Sequence, residues 1–252
     1  PGPISHLKKK PAAASPTPAS TGTRRRTPPK PSPAERRAFP VVGVGASAGG
    51  LEALELFFKQ TPPDCGLGFI VVQHQDPTHK GMLAELLQRC TAMPVVQITD
   101  RMPVQPGRVH VIPPNQDVSI LRGVLHLLEP AQPRGLRLPI DFFLRSLADD
   151  QGEFAIGVIL SGMGSDGTLG FRAIKERAGA PFAQSPESAK FPSMPSSAVE
   201  SGMADGTAPP EELAAKILAY LAHVPLKGEQ PTPNPAAKDQ GGALSVTRSG
   251  PQ

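Results

Sequence analysis

The chain has 252 residues and a formal net charge of +4, enough for one large domain or two small ones, because single cores rarely grow past roughly 250 residues. The charge is uneven: +8 over residues 1–37, +1 over 225–252 and −5 between them. Its basic residues cluster in Lys8 to Lys10 and Arg24 to Arg26 without interleaved aromatics, so the folded part is not expected to bind nucleic acid. No stretch approaches the ~20 apolar residues of a membrane span, and the N-terminus lacks the apolar core of a secretory signal. A cytoplasmic location without membrane insertion is expected.

Residues 1–37 carry nine Lys or Arg against the single Glu35, set in Pro-Ala-Ser runs. Such a composition cannot bury enough apolar surface to offset chain ordering, and predicts a disordered basic tail. Residues 225–252 are again rich in Pro, Gly and polar residues with no helical or strand period. They predict a second disordered tail or linker. One folded domain is therefore expected over residues 38–224. Cys65 and Cys90 are too few for a disulfide scaffold and too widely spaced for a Cys-x-x-Cys pair, so reduced thiols and no metal site are expected. The chain opens on Pro1 rather than Met, as a piece excised from a longer protein would.

From Pro40 onward, short continuous apolar runs alternate with segments of helical period. The runs Val41 to Gly45, Gly68 to Gln73 and Ala155 to Leu160 predict strands buried on both faces. Helices are expected after each: Leu51 to Gln60, Lys80 to Cys90, and Thr168 to Arg177. Between residues 95 and 128 come shorter strand-like pieces, Val109 to Ile112, Val118 to Leu121 and Val124 to Leu128. The last two are joined by Arg122-Gly123 and predict an antiparallel hairpin on the edge of the sheet. Pro139, Pro195 and Pro209-Pro210 each stand where a further helix is expected to begin. The layout is α/β, a mostly parallel doubly wound sheet with helices on both faces.

Three strand-to-helix turns carry chemistry. In Gly43-Val44-Gly45-Ala46-Ser47-Ala48-Gly49-Gly50, the pattern Gly-x-Gly-x-x-Ala fits a Rossmann-like dinucleotide turn. It also fits, less commonly, a nucleophile turn, with Ser47 pushed out of the sheet edge and the N–H groups after it, Ala48 first, facing a developing oxyanion. A dinucleotide site needs an acid at the end of the second strand, about 20 residues on. That strand ends in Gln73-His74 instead, and His74 is suited to act as general base toward Ser47. His79, beside Lys80 in the following loop, is the rival base. The third turn, Gly162-Met163-Gly164-Ser165-Asp166-Gly167, puts a carboxylate where a pyrophosphate would be repelled. Asp166 there either caps the following helix or orients and charge-stabilises an imidazolium. Ser47, His74 and Asp166 are all expected at carboxyl ends of strands in one sheet, where ligand sites of open α/β folds form. Asp76 is the reserve carboxylate.

The blocks GASAGG, VVQH, VIPPN, LPIDFFLRSLA, GVILSGMGSDGTLG and AQSPESAKFPSMPSSAV resemble, in that order, the catalytic domain of chemotaxis protein-glutamate methylesterases. The likeness spans roughly residues 40 to 222. It implies a serine nucleophile at Ser47, a base at His74, an orienting acid at Asp166, and an oxyanion contribution from the Met163 backbone. It further implies hydrolysis of γ-glutamyl methyl esters on the cytoplasmic helices of methyl-accepting chemotaxis receptors, releasing methanol, with deamidation of selected glutamines as a second activity. No cofactor is implied.

Two departures stand out. The family's common form carries a receiver domain before the catalytic one, and the segment before Pro40 is too short and too polar to be one. Many relatives have Thr after the nucleophile, where this chain has Ala48. The wording LEALELFF, DPTHK and RGLRLPIDFF looks closest to methylesterase modules fused to a receptor methyltransferase. Arg134 and Arg137 are candidates for binding an acidic receptor helix, and Asp141 reads as an early-turn helix acid. Two other functions compete, a Rossmann-like nucleotide-binding protein and a docking module that keeps the fold without turnover.

Overall fold

The computed structural model describes residues 39–74, 82–130 and 137–224. Both expected tails lie outside the described residues, as do His79, Asp76 and Arg134. Strand β1 (Val41–Ala46) leads into helix α1 (Gly50–Lys59), followed by β2 (Gly68–Gln73) and α2 (Met82–Gln88). Short strands β3 (Val95–Gln97), β4 (Met102–Pro103) and β5 (Arg108–Val111) precede the hairpin β6 (Asp117–Leu121) and β7 (Val124–Leu128). The second half runs α3 (Pro139–Gln151), β8 (Ala155–Ile159), α4 (Thr168–Glu176), β9 (Ala180–Gln184), α5 (Ser193–Glu200), β10 (Gly206–Ala208) and α6 (Pro210–His223).

Seven strands form one sheet in the order β10-β9-β8-β1-β2-β5-β3, and all their pairings are parallel. The chain lays down β1, builds outward on one side through β2, then returns through α3 to build β8, β9 and β10 on the other side. The strand order therefore reverses at β1, and a crevice opens at the carboxyl ends of β2, β1 and β8.

Alternation along the strands sorts the core into two layers. Val42, Val44, Phe69 and Val71 pack with Leu54, Phe57 and Phe58 of α1, Leu87 of α2 and Leu213 and Ile217 of α6. Val41, Ile70, Val72 and Ile159 face the other way, toward Ile140, Phe143, Leu144 and Leu147 of α3, Phe171 and Ile174 of α4 and Met194 of α5. The glycines of β1 belong to this second face. A Cβ on Gly43 would lie 2.7 Å from Leu144 Cδ2, and one on Gly45 would lie 2.4 Å from Ile140 Cγ2. They are absent side chains that let α3 lie directly on the sheet, so the Gly-x-Gly spacing is accounted for by packing without a phosphate.

The hairpin expected on the sheet edge exists, with Ser119 opposite His126, but it is not an edge of the parallel sheet. With β4 it forms a separate three-stranded antiparallel sheet, in the order β4-β7-β6. Val118, Ile120 and Leu125 turn inward onto the α3 side of the core. The outer position beside β2 goes to β5 and β3 instead. Helix α5 begins at Ser193, two residues before the proline expected to open it.

His110 of β5 is fully buried, and its Nδ1 lies 2.9 Å from the Phe69 carbonyl oxygen. Nε2 has no partner among the described residues. Burial lowers the His110 pKa, the Phe69 carbonyl works against that shift, and the Arg108 charge adds to it. The folded state thus holds the ring neutral at pH values where the unfolded chain binds a proton. The resulting stabilisation is present above the unfolded imidazole value of about 6.5 and lost as pH falls below it. Urea unfolding at several pH values should show stability dropping as pH falls below about 6.5, and His110→Leu should flatten that limb. An unchanged slope in the variant would show that other groups dominate acid sensitivity.

Candidate active site

Ser47, His74 and Asp166 follow the carboxyl ends of β1, β2 and β8, three adjacent strands. The expected convergence is present. Ser47 Oγ lies 3.0 Å from His74 Nδ1, and His74 Nε2 lies 3.0 Å from Asp166 Oδ2. The ionised carboxylate only accepts, which assigns the ring proton to Nε2 and leaves Nδ1 with its lone pair toward the serine hydroxyl. Along this chain burial rises: the Asp166 side chain is 3% exposed and that of His74 is 34% exposed.

The Ser47 turn is held from behind by Ser161, two residues past β8. The Ser47 N–H donates to the Ser161 carbonyl at 3.0 Å. Ser161 Oγ donates to the Ala48 carbonyl at 2.9 Å and accepts from the Phe191 N–H at 3.0 Å. The Ser161 N–H donates to Gln184 Oε1 at 2.8 Å. Gly162 lets the turns after β8 and β1 touch, since a Cβ there would lie 2.1 Å from Met194 Sδ and 2.9 Å from Ser47 Cβ.

Neighbouring amides are already engaged: Gly50 N–H with Ser47 O, Gly162 N–H with Phe191 O, and Gly164 N–H with Ser193 Oγ. The Ala48 and Met163 amides, the two expected oxyanion donors, have no hydrogen-bond partner among the described residues.

Asp166 does more than face His74. Its Oδ2 also accepts the Ile140 N–H at 3.1 Å, and its Oδ1 accepts the Asp141 N–H at 2.8 Å. These are the second and third residues of α3, whose N-cap position is occupied by Leu138 with no capping side chain. Asp166 therefore is a helix cap, though of α3 and not of the helix that follows it. The capping expected for the following helix is made to a different one, and the carboxylate that faces the imidazole is also the one that closes α3.

Asp141 is 5% exposed, more deeply buried than an early-turn helix acid needs to be. Its Oδ1 accepts the Gly170 N–H of α4 at 2.7 Å. Burial pushes the Asp141 carboxyl up to about 6; the Gly170 N–H opposes the shift and the Asp166 charge adds to it.

Beside His74 and Asp166 opens a cavity of about 470 Å³, whose walls include Pro113, Asn115, Arg137, Met163 and Ser165. Arg137 lies where the sequence put it, at the cleft, but Asp117 Oδ1 holds its Nη2 at 2.6 Å. Leu138, Phe142, Met163 and Leu169 are large apolar side chains left exposed on the first turns of α3 and α4 and the loop before α4. No group of His, Cys, Asp and Glu suited to a metal occurs among the described residues.

Sequence reasoning missed Ser161, Gln184 and the buried role of Asp141. The signal for Asp141 was available: both Leu138-Pro139 and Gly167-Thr168 open helices without a capping side chain of their own, so caps had to come from elsewhere.

A family model described as CheB methylesterase matches residues 42–217. A protein-glutamate methylesterase/protein-glutamine glutaminase of Moorella thermoacetica is 33% identical over 194 residues, covering 75% of this chain and 46% of that protein. One from Pseudomonas aeruginosa is 33% identical over 215 residues, covering 82% and 61%. An uncharacterized 104.1 kDa protein of Rhodobacter capsulatus is 40% identical over 147 residues, 58% of this chain and 15% of that one. The chain spans about half the length of the curated methylesterases it matches. The crystal structure of the Thermotoga maritima CheB methylesterase catalytic domain superposes with a TM-score of 0.67 at 28% identity, covering 73% of this chain and 99% of that one. The chain belongs to the CheB methylesterase family.

Proposed function

We propose that this domain is a serine hydrolase that demethylates glutamate γ-methyl esters on chemoreceptor cytoplasmic helices, with deamidation of receptor glutamines as a second activity. The observation that carries the reading is the unbroken chain Ser47 Oγ to His74 Nδ1 to Asp166, with both links at 3.0 Å. A docking module without turnover has no need to keep such a chain aligned.

The steps follow from the geometry. His74 Nδ1 takes the Ser47 proton as Oγ attacks the ester carbonyl, and Asp166 stabilises the imidazolium that forms. The amides of Ala48 and Met163 donate to the oxyanion; the backbone supplies both, so the missing Thr side chain at position 48 leaves them unaffected. Methanol leaves with the proton from His74. Water, deprotonated by the same nitrogen, then attacks the acyl-enzyme; the bond to Ser47 Oγ breaks, His74 returns the proton to that oxygen, and the glutamate is released as its carboxylate. With a glutamine, the leaving group is ammonia and the rest is unchanged.

A macromolecular substrate is favoured by the exposed apolar rim of Leu138, Phe142, Met163 and Leu169, a kind of surface that protein partners cover. Arg137 and Arg134 are proposed to meet acidic receptor residues, with Asp117 offsetting part of the Arg137 charge. No described helix is long and apolar enough to cross a membrane, in keeping with a proposed cytoplasmic site of action. Fusion to or association with a receptor methyltransferase is the reading we favour for the chain's context. A nucleotide is disfavoured, because β2 ends in Gln73-His74 without a ribose-binding acid and the glycines of β1 are taken up by packing against α3.

The direct test is methanol release from a methylated receptor cytoplasmic fragment, compared between the natural chain and Ser47→Ala. The variant should keep the circular dichroism spectrum and lose turnover by several orders of magnitude, about 10⁶-fold where a triad acts as a unit. A retained rate would remove Ser47 as nucleophile.

The double role of Asp166 separates two substitutions. Asp166→Asn should cut turnover by about 10³- to 10⁴-fold while keeping an acceptor oxygen toward α3. Asp166→Ala should in addition lower unfolding stability by about 1–2 kcal/mol, the usual cost of a lost cap. Near-normal turnover of Asp166→Asn would leave the residue a cap and nothing more.

A further inference from the structure

The two helices that meet behind the triad cap each other. Asp166, in the turn before α4, accepts the Ile140 and Asp141 N–H groups at the start of α3. Asp141, in the first turn of α3, accepts the Gly170 N–H at the third position of α4, 2.7 Å away. Neither helix has a capping side chain at its own N-cap: Leu138 precedes α3 and Gly167 precedes α4. Each carboxylate thus satisfies the orphan amides of the helix that carries the other. The helices are also in tight contact at this end, since a Cβ on Gly170 would lie 2.5 Å from Leu144 Cβ.

We infer that Asp141 is a positioning residue for the hydrolytic reaction, acting through Asp166: its bond to the start of α4 fixes the turn that aims Asp166 at His74. The proposal rests on the triad reading above. Asp141 touches neither His74 nor the cleft in any described contact, and its role is to set where Asp166 Oδ2 sits. Without its carboxylate the α4 amides lose their acceptor, the Ser165–Gly167 turn is free to relax, and the hydrogen bond to His74 lengthens or tilts. Small displacements of this kind cost turnover more than binding, because they act on proton transfer and not on the cleft walls.

A double-mutant cycle tests this, with kcat and KM for methanol release from the methylated receptor fragment and a urea unfolding curve for every variant. Asp141→Ala should lower kcat about 10- to 100-fold with KM nearly unchanged. Asp141→Asn, which keeps an oxygen for the Gly170 N–H, should restore kcat to within a few-fold. In an Asp166→Asn background, Asp141→Ala should lower kcat by less than about 3-fold, because a residue acting through Asp166 has little left to position. An unchanged kcat in Asp141→Ala would overturn the inference. So would an equal loss in both backgrounds, which is what general destabilisation produces. Ser47→Ala, run in parallel, separates the two levels: if it turns over normally the triad reading fails and takes this inference with it. If it is inactive while Asp141→Ala is normal, only Asp141's role is lost.

Discussion

The structure depends on how one buried carboxylate is satisfied. Asp166 is almost without solvent, and an isolated charge in that position would be too costly to keep. It receives two amides from the start of α3 and one ring proton from His74. The helix terminus thereby brings partial positive charge to the carboxylate through two fixed amides. A cationic partner would compete with the imidazolium for the same charge during catalysis, whereas fixed amides leave one lone-pair direction for His74.

That arrangement explains the position of α3. The helix has to bring its first turn over the sheet's carboxyl end, close to β1 and β8, and side chains on β1 would prevent it. Gly43 and Gly45 remove them. The glycines of β1 therefore serve the placement of Asp166, which follows the adjacent strand β8 and lies more than a hundred residues later in the chain, as much as that of Ser47. On the opposite side, Ser161 ties the nucleophile turn to β8 and to Gln184 of β9. The parallel sheet acts as a common ruler for all three side chains.

Much of this was legible in the sequence because buried parallel strands are continuous apolar runs and their carboxyl-end turns are punctuated by glycine. Strands β1, β2 and β8 and the three chemical residues follow from those signals alone. Strand β9 was not found, because Pro181 interrupts it and a proline ordinarily argues against an inner strand. It is tolerated there because the β10 ladder starts only at Phe182, and Pro181 meets that side through its carbonyl, which accepts the Asp205 N–H at 2.7 Å, and not through the N–H it lacks. Strands β3, β4 and β10 span two or three residues each, too short for any periodicity to register. The hairpin was recognised as a hairpin, but which sheet it joins depends on packing against α3, and local pattern carries no information about that. For Asp141 the uncapped starts at Leu138 and Gly167 signal that an acceptor is needed, but local pattern does not say that the amide it serves is that of Gly170, 29 positions away.

In the proposed mechanism Asp166 holds the His74 proton on Nε2 so that Nδ1 can accept from Ser47. Long-range ¹H–¹⁵N NMR of histidine-labelled protein, recorded on the basic side of the ring's titration, reports the tautomer directly. Nδ1 should show the shift of an unprotonated nitrogen and Nε2 that of a protonated one, with this preference lost in Asp166→Ala. A proton resident on Nδ1, or a tautomer ratio indifferent to Asp166, would contradict the account.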